Sequence, residues 1–151
     1  MADTVRLVEY FYVTTSQKPG VGAAVLNELR RAGVNLLAFS GFPAGRGAQI
    51  DFVPENAAAF RAAAKAAKWK VTGPKKAFLI TGDDRTGAVA DILQKLADAR
   101  INVTAVDAAC AGAGRYGAIL WVAPRDVTRA ARALGGEEGN PARVPLRKGT
   151  A

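Results

Sequence analysis

The sequence predicts an α+β fold made of two βαββαβ units, each an antiparallel sheet with helices on one face. Three observations predict it. Strand-like and helix-like periodicities follow one another in the order strand, helix, strand, strand, helix, strand. That order occurs twice. Sliding the 151-residue sequence against itself by 67 positions then sets Thr14 on Thr81, Gly20 on Gly87, Leu26 on Leu93, Leu29 on Leu96, Ala32 on Ala99 and Asn35 on Asn102. The shift reaches 70 where Val53-Pro54 meets Ala123-Pro124, as one small loop insertion would produce.

The first unit opens with the β-branched and aromatic run Val5–Thr14, a strand. Pro19-Gly20 opens a helix, with proline where its missing N–H costs nothing. Val25, Leu26, Leu29 and Ala32 form its apolar face, and Gly33 stops it. Strands follow at Val34–Phe42 and Ala48–Val53, joined by a turn over Pro43–Gly47. Asn56 caps an alanine-rich helix to about Lys68, and Trp69–Thr72 closes the sheet.

The second unit repeats these signals: a strand at Ala77–Gly82, then a helix at Thr86–Ala99 with a Val89, Ile92, Leu93, Leu96 stripe. Strands at Ile101–Cys110 and Tyr116–Val122 flank Ala111–Gly114, and Asp126 caps a short helix to Leu134. The closing strand is weak. Only Arg143–Leu146 offers one, and Pro145 confines it to an edge. The expected units are therefore 1–73 and 76–146, with a mobile tail from about 135. Gly73-Pro74-Lys75 is too short for a flexible tether, so the units are expected to pack together. The first strand is apolar on both faces, Leu7, Phe11 and Val13 against Val8, Tyr10 and Tyr12. Its second face needs another sheet or a partner chain.

Composition excludes several chemistries. With no histidine there is no Ser–His or Cys–His nucleophile pair and no imidazole metal ligand. One cysteine, Cys110, forms neither an internal disulfide nor a thiolate zinc cage, and it fits a reducing compartment. No apolar run reaches the roughly 18–20 residues that span a bilayer, and the start MADTVRLVEY has no signal-peptide pattern. A cytoplasmic protein is expected. The net charge of +8 implies attraction to anions, without the stripe or motif that nucleic-acid binding also needs. Alanine fills 32 positions, which suits helices packed closely on thin sheets.

Two places could carry function. The first is the strand–helix junction of each unit, Thr14–Gly20 and Thr81–Gly87. A helix N-terminus offers free N–H groups and the positive end of the dipole, which together hold a carboxylate or phosphate. Ordinary capping by Ser16, Asp83 or Asp84 is the competing reading. The second is the pair Asn35 and Asn102, each after a helix stop at the start of a strand. Beside the junction, such an amide could orient an amino acid zwitterion. Asparagine is also a common turn residue there.

Asp84-Arg85-Thr86-Gly87-Ala88-Val89, followed by Ala99-Arg100-Ile101-Asn102-Val103, resembles the ACT domain, a ferredoxin-like βαββαβ module that senses small molecules. Lys18-Pro19-Gly20-Val21 with Ala32-Gly33-Val34-Asn35-Leu36 is similar, and the resemblance covers about residues 5–134. It implies a tandem, non-catalytic regulatory protein. Its ligand would be an amino acid, bound between modules through Lys18, Pro19, Gly20, Asn35, Asp84, Arg85, Gly87 and Asn102. The first copy has Gln17-Lys18 where acid-Arg is usual. The second has Thr86 for the usual proline and Arg100 for the usual glycine. A homodimer or a partner enzyme follows, with no cofactor, no metal and no membrane.

A basic nucleic-acid-binding module on the same fold is the alternative. Tyr10, Phe11 and Tyr12 tempt, but the matching strand motif is absent. Gly45-Arg46-Gly47 and Gly112-Ala113-Gly114-Arg115 read as hairpin turns before phosphate cradles, and Asp83-Asp84 as a cap before a Mg²⁺ site. Cys110 reads as a small buried residue.

Overall fold

The computed structural model describes residues 3–135. Its elements are β1 (Thr4–Ser16), α1 (Val21–Arg31), β2 (Leu36–Ala44), β3 (Gly47–Pro54), α2 (Ala57–Ala66), β4 (Thr72–Asp83), α3 (Ala88–Asp98), β5 (Val103–Gly112), β6 (Arg115–Val122) and α4 (Val127–Leu134), with a 3₁₀ turn at Pro124–Asp126. The fold is α+β, an antiparallel six-stranded sheet in the order β2-β3-β1-β4-β6-β5 with four helices.

The chain divides into two compact units. One is Val8–Ala77; among described residues the other is 3–7 with 78–135. The long strands β1 and β4 therefore each serve both. The Val8–Ala77 unit was expected to close at Trp69–Thr72, but its closing strand is the first half of β4, from Thr72. Trp69 instead packs on the core, its ring 6.1 Å from Phe52. In the other unit the closing strand is the start of β1, Thr4 to Leu7, with Val5 and Leu7 on that unit's core. The expected strand Arg143–Leu146 and the tail beyond 135 lie outside the described residues.

Strand alternation sets each core. In Val8–Ala77, Phe11 and Val13 of β1 and Ile50 and Phe52 of β3 share one face and meet Leu29, Phe60 and Ala64 from the two helices. Phe60 stacks on Phe11 at 4.9 Å between centroids and tilts on Phe52 at 5.1 Å. Burying such a ring contributes about 1.5–3 kcal/mol. Phe11 is thus a core residue, 1% exposed and closed to base stacking, which removes the centre of the aromatic run that pointed to nucleic acid. On the opposite face Tyr10 and Tyr12 are half-buried and Asp51 and Val53 are buried.

In the other unit Phe78, Ile80, Tyr116, Ala118, Leu120 and Val122 meet Ala88, Ile92 and Leu96 of α3 and Ala130, Ala131 and Leu134 of α4. The α3 stripe is as expected. That of α1 is narrower: Leu29 is buried and Val25 packs, while Leu26 and Ala32 are exposed.

Helix ends follow local chemistry at one place and depart from it at two. Asn56 caps α2, its Oδ1 accepting from the Ala59 N–H at 3.0 Å. Asp126 does not cap α4. Its Oδ1 accepts from Arg129 at 3.0 Å, and Arg129 also donates to the Ala99 carbonyl at 2.8 Å, tying α4 to the end of α3. Pro19 stands in the turn before α1 rather than inside it, and α3 starts at Ala88.

Candidate functional site

Both strand–helix junctions are built alike. Gly20 precedes α1 with φ 87° and Gly87 precedes α3 with φ 83°. An L side chain is strained in this left-handed region, so glycine has a backbone reason here beyond ligand approach. A Cβ at either position would meet nothing within 4 Å, so the surface beside each helix start is open. Neither helix has a side-chain cap, so Ser16, Asp83 and Asp84 do not perform the capping that competed with anion binding. The first N–H of each helix is used in the preceding turn, Val21 donating to the Lys18 carbonyl at 3.3 Å and Ala88 to the Arg85 carbonyl at 3.2 Å, which leaves those of the next two residues, Gly22 and Ala23 or Val89 and Ala90, for an anion.

The side chains differ sharply. At the start of α3, Arg85 is held by two carboxylates. It donates to Asp3 Oδ1 and Oδ2 at 3.2 and 3.3 Å and to Asp91 Oδ2 at 3.0 Å. Burial raises the Asp3 carboxyl, but hydrogen bonds from Arg85 and the charge behind them outweigh it and leave the group below its ordinary value. The same bonds push the Arg85 guanidinium up. Asp83 lies on Arg115 at 2.6 Å, which holds its carboxyl low. The acidic pair is therefore split. Asp83 faces Arg115, while exposed Asp84 sends its N–H to the Gly114 carbonyl at 2.7 Å. Cys110 is exposed rather than buried, and the hydrogen bond with Asp84 pushes its thiol up, away from reactive thiolate. Among the described residues no cluster of three acids, thiols or imidazoles could hold a metal ion.

At the start of α1 there is no acid in the first turn. Lys18 and Pro19 are exposed. Gln17 donates to the Gly47 carbonyl at 2.6 Å, tying the junction to the β2–β3 hairpin. That hairpin ends in the two-residue turn Gly45-Arg46, and Gly112–Arg115 closes the β5–β6 hairpin likewise, so both glycine-rich loops are hairpin turns. Ser16 pairs with Gly47, so exposed Arg46 stands at the same end of the sheet as Lys18. The sequence shows Arg46 in a glycine-rich loop read as a hairpin turn before a phosphate cradle; the strand register adds that this turn lies at the Lys18 end of the sheet.

The asparagines lie elsewhere. Asn35 precedes β2, whose start pairs with Pro54, whereas the junction follows the end of β1 beside Gly47. The 11-residue helix α1 separates them by roughly 16 Å along its axis. Within one unit Asn35 does not stand beside Gly20, and Asn102, before β5, does not stand beside Gly87 for the same reason. Asn35 donates to Glu55 at 3.0 Å, and Asn102 is exposed.

No family model matches the chain, and no curated protein matches it. Solved structures do resemble it. A protein from Bacteroides thetaiotaomicron superposes with TM-score 0.74 at 14% identity, over 87% of this chain and 88% of that one. The regulatory subunit of aspartate kinase from Thermus thermophilus gives 0.62 at 15%, over 89% and 95%. Aspartokinase III from E. coli, solved with aspartate and ADP, gives 0.52 at 14%, over 88% of this chain but 32% of that enzyme. At these identities the likeness is one of fold.

Proposed function

We propose that the chain is a non-catalytic regulatory protein of the tandem ACT type that binds an amino acid by its carboxylate at the Lys18–Gly20 junction. The observation that carries this reading is the uncapped N-terminus of α1, with Lys18 beside it and no acid in its first turn. The regulatory subunit from Thermus and the aspartate-bound kinase share the fold, which supports the same class of role.

Asn35 reaches such a ligand only from another copy. β2 is an edge strand with Phe39 and Phe42 exposed at 42% and 41%, and Leu26 of α1 exposed in the same unit. Antiparallel pairing of two β2 strands would set the start of one against the end of the other. That brings Asn35 of one copy level, along the strand direction, with the junction of the other, on the side of the sheet where a homodimer would form. A partner enzyme would then read the ligand through linkage. Among the described residues no helix is long and apolar enough to cross a membrane.

Thermal-shift screening against the common amino acids at millimolar concentration tests the reading. At least one should stabilise the protein, and Asn35→Ala should remove the response. No stabilisation by any of them would sink the proposal.

A further inference from the structure

The Asp3 carboxylate sits in a niche shaped for it. Gly82 forms one wall, and a Cβ there would collide with Asp3 Oδ1 and with the Tyr116 ring. Arg85 closes the niche with two N–H donors, one to each carboxylate oxygen. The third wall is Tyr116, 4% exposed, whose hydroxyl is buried and has no hydrogen bond of good geometry although it stands close enough to Asp3 for each to shift the other's titration. The Asp3 side chain itself is only 8% exposed. A glycine gap, a guanidinium fork and a buried hydroxyl are the components of a carboxylate-binding site.

We propose that the Gly82–Arg85–Tyr116 niche is a carboxylate-binding site which the chain fills with its own Asp3. Asp3 and an external carboxylate exclude one another at Arg85. Of the two junctions, the one beside α3 is closed by this internal ligand, and the one at Lys18–Gly20 is open. The second half of this statement rests on the amino-acid reading above; the niche itself does not.

Chemical rescue tests it. Acetate is the side chain that Asp3→Gly removes. The Tm of Asp3→Gly should rise saturably with sodium acetate, by about 2–4 °C over sodium chloride of equal concentration. The wild type and the double variant D3G/R85M should show a smaller acetate effect, equal in the two, because any acetate taken at the Lys18–Gly20 junction is common to all three proteins. No acetate-specific response in Asp3→Gly, or an equal one in the wild type, overturns the proposal. Should Asp3→Gly not fold, carboxyl NMR on the wild type decides. Asp3 faces Arg85, Tyr116 and, further off, Lys95. It should titrate below the ordinary carboxylate range and move up in Arg85→Met; ordinary titration in the wild type overturns the niche. Acetate is not an amino acid, so a failed amino-acid screen leaves this result standing, and the reverse holds.

Discussion

The carboxylate of Asp3 grips the guanidinium of Arg85 through both oxygens, at 3.2 and 3.3 Å, across 82 residues of sequence. This pair joins the segment ahead of β1 to the turn ahead of α3, inside a single compact unit. It also separates the two junctions chemically. One cation is neutralised from within; the other, Lys18, has no carboxylate partner among the described residues.

The pair makes stability sensitive to acid. The folded Asp3 carboxyl is held below its unfolded value, so its contribution is complete above about pH 4 and is lost as pH falls through the lower folded value. Asp3→Asn should lower Tm by roughly 2–4 °C at neutral pH and by less at pH 2–3. Thermal melts of both proteins across pH 2–7 check it; an equal difference at every pH contradicts it.

Gly82→Ala should displace Asp3 without removing any charged group, because the new Cβ takes the place of its oxygen and also presses on the Tyr116 ring. Asp3 should then titrate in the ordinary carboxylate range. Gly87→Ala is the contrast: its Cβ meets nothing, so it should cost only the strain of a left-handed residue, about 1 kcal/mol, and leave Asp3 as it was. Denaturant melts with Asp3 carboxyl NMR distinguish the two.

In the Val8–Ala77 unit, Phe60 lies fully buried against Phe11 and Phe52. Phe60→Ala should cost about 3–5 kcal/mol, a large share of the roughly 5–15 kcal/mol by which a domain is ordinarily stable. Asn56→Ala, which removes only the α2 cap, should cost about 1 kcal/mol. Urea unfolding ranks them; equal costs would contradict the packing described.

What was legible in the sequence is what short-range chemistry decides. The cap at Asn56 needs only a partner three residues on, and the α3 stripe only helical spacing. Glycine at 20 and 87 was legible as a junction residue, but its left-handed backbone belongs to the turn before each helix, which in the sequence reads as the helix start at Pro19-Gly20 and at Thr86. The strand shared between units was not legible, because Thr4 to Leu7 and Phe78 to Asp83 lie more than seventy residues apart and nothing local chooses between them and Arg143–Leu146. For the same reason Asp3 carried no signal as the partner of Arg85. Asn35 had the right chemistry for a ligand; the strand register, a property of three paired strands, places it at the far end of α1.

The proposed ligand of the Lys18–Gly20 junction is a carboxylate. Isothermal titration of the wild type and Lys18→Glu with each amino acid that stabilises the protein tests it most directly. Binding to the wild type should be saturable and should weaken at least tenfold in Lys18→Glu, a loss of about 1.4 kcal/mol. Unchanged affinity in Lys18→Glu, or no amino acid that binds the wild type at all, would contradict it.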